Sequence, residues 1–294
     1  MFKKGIMNGE TSNIECSQIG ESSLTTDIQM PKVIVTFSGG KDSTWMLLEM
    51  LRRGEHIDEV VFFDTGWEFP QMIRHIEKIK KLVEENSIVF TTLHPRVPFD
   101  YLMFDKPKAK SDCKGWSWCG YGRVRWGTGE KMTAVKSYFK NEPNHVRCVG
   151  IAADEVDRLA KKRKHNVRFP LAEWGITEAE CLQGCYALGY DWEGLYEYLD
   201  RVSCKFCGYK NLKELRNIYW KMPDVWNELR DYQSRTYVPY KGEGKSVFDL
   251  EVRFELEKEF EGKGKSIRSR EFFTELKKKL SQTIYKKEDE NEKL

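Results

Sequence analysis

The chain has 294 residues, 40% hydrophobic and 32% charged, with 49 basic against 46 acidic residues and a net charge of +3. A chain of this length buries a substantial core, and its nearly balanced charge makes no global case for a polyanionic partner. No apolar run approaches membrane-spanning length and the first residues, MFKKGIMNGETSNIECSQIGESSLTTD, contain no apolar secretion core, so a cytoplasmic protein without membrane contact is expected.

Residues 1–30 are polar, Ser/Thr-rich and aperiodic, which predicts a mobile arm. Val33–Phe37 then reads as a strand running into SGGKDS, Ser38 to Ser43, with an amphipathic helix over Asp42–Arg53. Gly39 and Gly40 permit a sharp turn that exposes backbone N–H groups, the helix adds the positive end of its dipole, and Lys41 brings a full charge. Such a loop cradles phosphates. Its spacing is not the G-x-x-x-x-G-K-S/T of the longer Walker loop, which argues against a GTPase or motor ATPase.

Glu59–Phe63 is a second strand, followed by DTGWEFP. Asp64 stands about twenty residues beyond the glycines, where nucleotide-binding α/β folds place an acid near the ribose. Helices are expected over Pro70–Glu85 and Lys131–Lys140, and strands over Ile88–Leu93 and Val146–Ile151. This alternation predicts an α/β fold with a doubly wound parallel sheet, covered on both faces. Ligands then lie at the carboxyl ends of the strands, where SGGKDS, DTGWEFP, HPRVPF and GIAADE all fall.

From Thr177 the pattern turns helical: TEAECLQGCYALG, DWEGLYEYLD, then Leu212–Arg235, which Pro223 divides in two. Val238–Gly264, with glycines at 242, 244, 262 and 264, reads as a loop with a short amphipathic segment, and a terminal helix follows near Ser269–Leu280. The expected organisation is an arm (1–30), a nucleotide-binding domain (31–176) and a helical C-terminal region (177–294).

Eight cysteines without a secretory signal point to reduced thiols, metal or catalysis. Cys204 and Cys207 form C-x-x-C, while Cys113 and Cys119 lie in SDCKGWSWCGYGRVRWGTGEK. Four thiolates meeting over the sheet would suit zinc or an iron–sulfur cluster, and the spacing does not choose between them. Cys181 and Cys185 share a helix face and read as core, with Cys185 also the rival of Cys113 for the fourth ligand position. Cys148 lies in a buried strand and reads as inert. Of the five histidines only His94 is placed to reach a ligand. Trp116, Trp118, Tyr121 and Trp126, interleaved with Lys114, Arg123 and Arg125, read either as a stacking patch for unpaired bases or as a packed lid. The basic run RLAKKRKHNVR (158–168) reads equally as a phosphate contact or a solvated face.

SGGKDS, DTGWEFP, GIAADEVDR (150–158) and FPLAEWGITEAECLQ (169–183), in that order, resemble the phosphoadenylyl-sulfate (PAPS) reductase-like family of the PP-loop ATP pyrophosphatase superfamily, over Pro31 to Arg230. The resemblance implies an adenine nucleotide alpha-hydrolase-like fold that binds ATP or a related adenine nucleotide on Ser38, Gly39, Gly40, Lys41, Asp42 and Ser43, with Asp64 beside it. Mg²⁺ would sit by Asp42 or Glu155, and Lys41 and Asp42 would serve catalysis. Arg158 would clamp a phosphate, its plain alternative being an ion pair with Asp154 or Asp157. Related reductases and DNA phosphorothioation sulfurtransferases hold a 4Fe–4S cluster through an upstream cysteine group and a downstream C-x-x-C, which implies Cys113, Cys119, Cys204 and Cys207 as ligands, with zinc the alternative. The implied activity is ATP-dependent adenylation of an acceptor for sulfur transfer, the acceptor being a nucleic acid (tRNA or DNA) or a small molecule. A sulfur-donor protein and a homo-oligomer are further expected partners. Two other readings stand beside it. One is a sulfonucleotide reductase, although no cysteine follows Cys207 to play the usual attacking thiol; the other is a non-catalytic nucleotide-binding adaptor.

Overall fold

The computed structural model describes residues 30–109, 111–120, 125–161 and 165–291. The expected arm (1–30) except for Met30, Cys16 with it, the patch residues Tyr121 and Arg123, and the basic residues 162–164 lie outside the described residues.

The first half alternates as its apolar runs require: β1 (Lys32–Phe37), α1 (Lys41–Arg52), β2 (Glu59–Phe63), α2 (Pro70–Glu85) and β3 (Val89–Leu93). A π-helical turn (Tyr101–Asp105) and a small hairpin of β4 (Pro107–Lys108) and β5 (Ser111–Lys114) lead to α3 (Trp126–Lys140), β6 (His145–Val149), α4 (Val156–Leu159), β7 (Val167–Arg168) and α5 (Pro170–Glu173). The main sheet is parallel throughout, in the order β3-β2-β1-β6-β7. The chain winds outward from β1 to β3 and then returns to the other side of β1. That reversal leaves a crevice above the carboxyl ends of β1 and β6.

Side-chain alternation divides the sheet. Val35 and Phe37 face α1 and α2, with the Phe37 ring 6.4 Å from His75 of α2. Register pairs Ile34 with both Glu59 and Arg147, so these three share the opposite face. There the His145 ring meets Phe139 of α3 at 4.6 Å. β2, central and wholly buried, is apolar on both faces apart from Glu59, which pairs with Lys32 at 2.6 Å.

The second half is helical: α6 (Glu178–Ala187), a 3₁₀ turn (Trp192–Gly194) into α7 (Leu195–Tyr198), then α8 (Leu212–Lys221), α9 (Pro223–Ser234), α10 (Val247–Gly262) and α11 (Arg270–Asn291). Three helices start with capping boxes, Thr177/Glu180, Asn211/Glu214 and Ser246/Asp249, and Pro223 opens α9 at its first turn. One core runs from Val35 and Met46 through Trp192, Leu195 and Phe206 to Leu215, Trp226 and Phe254. A satellite cluster of Leu256, Phe260, Phe272 and Leu276 joins α10 to α11.

Several elements depart from expectation. α3 begins at Trp126 and not Lys131, because Trp126 is anchored in the core against Trp67 and Phe99. The segment expected as a loop with a short helix holds the 16-residue α10. The terminal helix continues beyond Leu280 to Asn291, and β4, β5 and β7 were not foreseen. Among the described residues no helix is long and apolar enough to cross a membrane.

Candidate active site

The turn between β1 and α1 is built around one left-handed residue, Gly39, at φ +79°. A Cβ there would lie 2.6 Å from Met72 Sδ, so backbone conformation and space both demand glycine. Gly40 is extended and caps α1 without a side-chain bond. Ser43 Oγ accepts from Ser38 N (3.1 Å) and bonds Gly40 O (3.0 Å), which closes the loop on itself. From the helical half, Trp192 Nε1 donates to Gly39 O at 2.8 Å and Tyr196 Oη accepts from Lys41 N at 2.9 Å. Gly150, just past β6, passes so close that a Cβ would stand 2.9 Å from the Ser43 backbone. The GIAADE segment therefore lies directly beside the first turn of α1.

Lys41 Nζ, 13% exposed, bonds Asp42 Oδ1 (2.7 Å) and Glu178 Oε2 (3.0 Å). Burial works against its ammonium, but the two carboxylate bonds outweigh this and its pKa rises. Burial also pushes the Asp42 carboxyl up, further than the Lys41 bond pulls it down. Asp42, Glu155 and Glu178 each offer an oxygen, all within 4.8 Å of one another, a spacing at which hard oxygen ligands can share a divalent cation. Glu155 also accepts from Ala152 N (3.2 Å) and binds Arg158, which is 52% exposed. Arg158 is thus ion-paired, with Glu155 as its partner. Glu178 was not singled out in the sequence; the signal was the T-x-x-E capping box of TEAE, which makes it the first residue of α6.

Asp64 lines a cleft of about 300 Å³ with Gly66, His94, Arg96 and Pro98, at the ends of β2 and β3. Its Oδ1 accepts from Gly66 N (2.8 Å), and His94 Nδ1 stands 3.9 Å from Oδ2. The same loop then bends to the C-x-x-C segment. Lys205 N donates to Trp67 O (2.7 Å), the Phe206 and Trp67 rings sit 5.3 Å apart, and Glu68 accepts from Thr65 Oγ1 (2.7 Å) with its carboxyl pushed up by burial.

Three cysteines gather there. Cys119 accepts from Gly127 N (3.2 Å) at the start of α3, and burial, with the charge of Cys207 added, pushes its thiol up. Cys204 and Cys207 share a hydrogen bond, which draws the Cys207 thiol down and, together with burial, pushes that of Cys204 up. Behind them Lys210, 1% exposed and missed in the sequence, donates to Ser203 Oγ (3.1 Å) and lies 4.9 Å over the Phe69 ring. Burial lowers its pKa while the two cysteines oppose that shift. Cys113 stands exposed on β5. Cys185 is buried against α1, its Sγ 3.7 Å from Lys41 O, so it packs beside the β1–α1 turn and not with Cys119, Cys204 and Cys207. Cys181 is likewise core, and burial pushes the Cys148 thiol up to about 11.

Of the two readings of the tryptophan-rich loop, its described tryptophans favour packing over a stacking patch. Trp118 is buried with its Nε1 donating to Val238 O (2.9 Å) and Trp126 is buried beside Trp67, so neither can stack on a base. Trp116 is half-buried under the Lys106 ammonium, 3.9 Å away. Trp174 lies under the Arg53 guanidinium at 4.3 Å, as a packing residue.

Residues 32–174 match the family model of the phosphoadenosine phosphosulfate reductase domain. Two uncharacterized proteins of Methanocaldococcus jannaschii are similar to the chain. One is 27% identical over 245 residues (77% of this chain, 47% of the relative), the other 26% over 213 residues (68% and 47%). The chain spans about half the length of these curated relatives. Among solved structures it is similar to the U34-tRNA thiolase NcsA of Methanococcus maripaludis with its 4Fe–4S cluster (18% identity, 76% of this chain and 71% of that one, TM-score 0.40). It is also similar to an FMN adenylyltransferase of Candida glabrata in complex with ATP (16% identity, 59% and 52%, TM-score 0.36).

Proposed function

We propose, from the premise that residues 32–174 belong to the PAPS reductase-like family of PP-loop proteins, that this chain is an enzyme that uses ATP to adenylate an acceptor for sulfur transfer. The observation that carries the reading is the phosphate loop at the end of β1. A left-handed Gly39, the N-terminus of α1 and a sequestered Lys41 converge there, beside three carboxylates spaced to share a cation. The triphosphate of ATP lies on Ser38–Ser43, where Lys41 exchanges its carboxylate partners for phosphate oxygens. An acceptor oxygen attacks the α-phosphorus, the bond to the β-phosphate breaks, pyrophosphate leaves, and the acceptor becomes an adenylate. Lys41 and the first N–H groups of α1 stabilise the negative charge that develops. A divalent cation on Asp42, Glu155 and Glu178 would neutralise charge on the triphosphate.

Cys119, Cys204 and Cys207 support the sulfur half of the reading, since three thiols from two distant loops meet beside a buried lysine. Soft thiolates of this kind suit an iron–sulfur centre, which would supply a metal site able to hold sulfide, with zinc the alternative.

Two measurements test this. ATP-dependent pyrophosphate release, screened with tRNA, DNA and small-molecule acceptors, is expected to fall by about 10²–10³-fold in Lys41→Ala with its circular dichroism unchanged. Failure of the wild-type chain to bind ATP in equilibrium dialysis overturns the reading. Anaerobic preparations should contain iron and acid-labile sulfide that Cys204→Ala/Cys207→Ala lacks; zinc in their place would remove the cluster.

A further inference from the structure

The tryptophans near the cysteines pack inward, but two tyrosines beside them turn outward: Tyr237 is 70% exposed and Tyr209 is 53% exposed. Tyr209 stands two residues past Cys207 and lies against Gly120, the neighbour of Cys119. A Cβ on Gly120 would meet the Tyr209 ring at 2.8 Å, and the backbone there holds φ +101°, so the close approach of this ring requires glycine. The Arg125 guanidinium lies 5.2 Å over the same ring. Tyr237 follows Thr236, whose Oγ1 bonds Ser117 Oγ at 2.8 Å. Lys108 Nζ is 3.2 Å from the Tyr237 hydroxyl and 5.7 Å from the ring centre, which places the ammonium beyond the hydroxyl and leaves the ring faces open. Ser117 and Gly120 are three residues apart, a span of at most about 11 Å, so the two tyrosines flank one short loop.

Positive charge collects at the same place. Residues 105–125 hold six basic and two acidic side chains, in a chain that is nearly balanced as a whole. Among the described residues, Lys106, Lys108 and Arg125 meet aromatic side chains, Trp116, Tyr237 and Tyr209, in place of carboxylates. Open ring faces offer stacking to bases, and cations at the edges of those rings offer charge to the phosphates between them. A duplex hides its base faces, so the fitting ligand is unpaired. Folded RNA displays such bases in loops and bulges, whereas duplex DNA must first be opened at a cost in stacking. We propose that Tyr209 and Tyr237, with Lys108 and Arg125, bind an unpaired segment of RNA and hold it beside Cys119 and Cys207. This names the acceptor class within the sulfur-transfer reading, and rests on that reading for the fate of the bound RNA.

The test is fluorescence anisotropy of the full chain, without ATP, against a labelled single-stranded RNA of about 16 nucleotides, the same sequence as single-stranded DNA, and the RNA as a duplex. The single-stranded RNA should bind most tightly, with an affinity that falls as salt rises. Tyr209→Ala and Tyr237→Ala should each weaken it by about ten-fold, as loss of one stacked base does, while Tyr209→Phe, which keeps the ring, should bind like wild type. Lys108→Gln should lower the slope of log affinity against log salt by about 0.7, the share of one phosphate contact on a single strand. These positions lie at the surface, so the variants should keep the melting temperature and the ATP affinity of wild type. Unchanged RNA affinity in both alanine variants, a duplex or a DNA strand that binds as tightly as the RNA, or no binding at low salt overturns the proposal. ATP binding is measured separately. A chain that binds RNA through the tyrosines but not ATP keeps this surface and loses the adenylation reading, and one that binds ATP but no RNA does the reverse.

Discussion

His75 lies where α1 and α2 meet beneath the phosphate loop, its Nε2 3.0 Å from Thr44 Oγ1 and its ring 4.5 Å from Trp192. Burial pulls its pKa down to about 4. The native state then refuses a proton that the unfolded chain accepts at its ordinary value near 6.5, so stability falls as pH drops from about 6.5 to about 4 and is unaffected above. The full loss is on the order of 3 kcal/mol, and a His75→Gln variant should show a shallower decline of melting temperature across that window. Two glycines give a cleaner contrast. Gly39 and Gly54 both hold positive φ, but a Cβ on Gly39 meets Met72 Sδ at 2.6 Å whereas nothing lies within 4 Å of one on Gly54. Gly54→Ala should cost about 1 kcal/mol of backbone strain and leave nucleotide binding intact. Gly39→Ala should cost more and abolish ATP binding; equal ATP affinities in the two variants would show that the turn at Gly39 is not the cradle.

The phosphate loop, β1 and β2 were legible in the sequence because strands covered on both faces read as continuous apolar runs, VIVTF and EVVFF, and because the glycine pair stands at a strand-to-helix junction. The start of α3 was not, since Gly127 and Gly129 break the helical pattern while a tertiary contact of Trp126 holds the turn. α10 hid for another reason: packed on α8 and α9 on one side and α11 on another, it buries Leu250, Phe254, Leu256 and Phe260 around its girth and shows little amphipathic contrast. Lys210 could not be read at all, because what makes a charge notable is the set of distant neighbours that folding places around it. At the same scale, the box at Thr177 seats Glu178 against Lys41 and also ties Asp154 to α6 through Glu178 N at 3.0 Å. Thr177→Ala should lower stability by about 1 kcal/mol and weaken divalent-cation affinity measurably; a variant with lowered stability but unchanged cation affinity would remove Glu178 from the ligand set.

Across the whole molecule, cohesion is uneven. The sheet and the first helices share one core, whereas α11 is held to α10 through the satellite cluster, so amide exchange in α11 should be faster than in β1 and β6 by sub-global opening. α8 and α10 are joined by the buried Glu257, which bonds Arg216 at 2.6 Å and Arg253 at 2.8 Å. Glu257→Ala, leaving both guanidinium groups facing a buried gap, should cost about 3–5 kcal/mol in chemical denaturation. The loop from Asp64 to Phe69 has a different kind of importance. Its first residue lines the cleft at the sheet's edge, and its Trp67 carbonyl holds the backbone of Lys205 between the paired cysteines. A lengthened or shortened version would displace both at once, so diversification has little freedom here. A lineage adapting this scaffold must instead innovate in segments that hold neither seat.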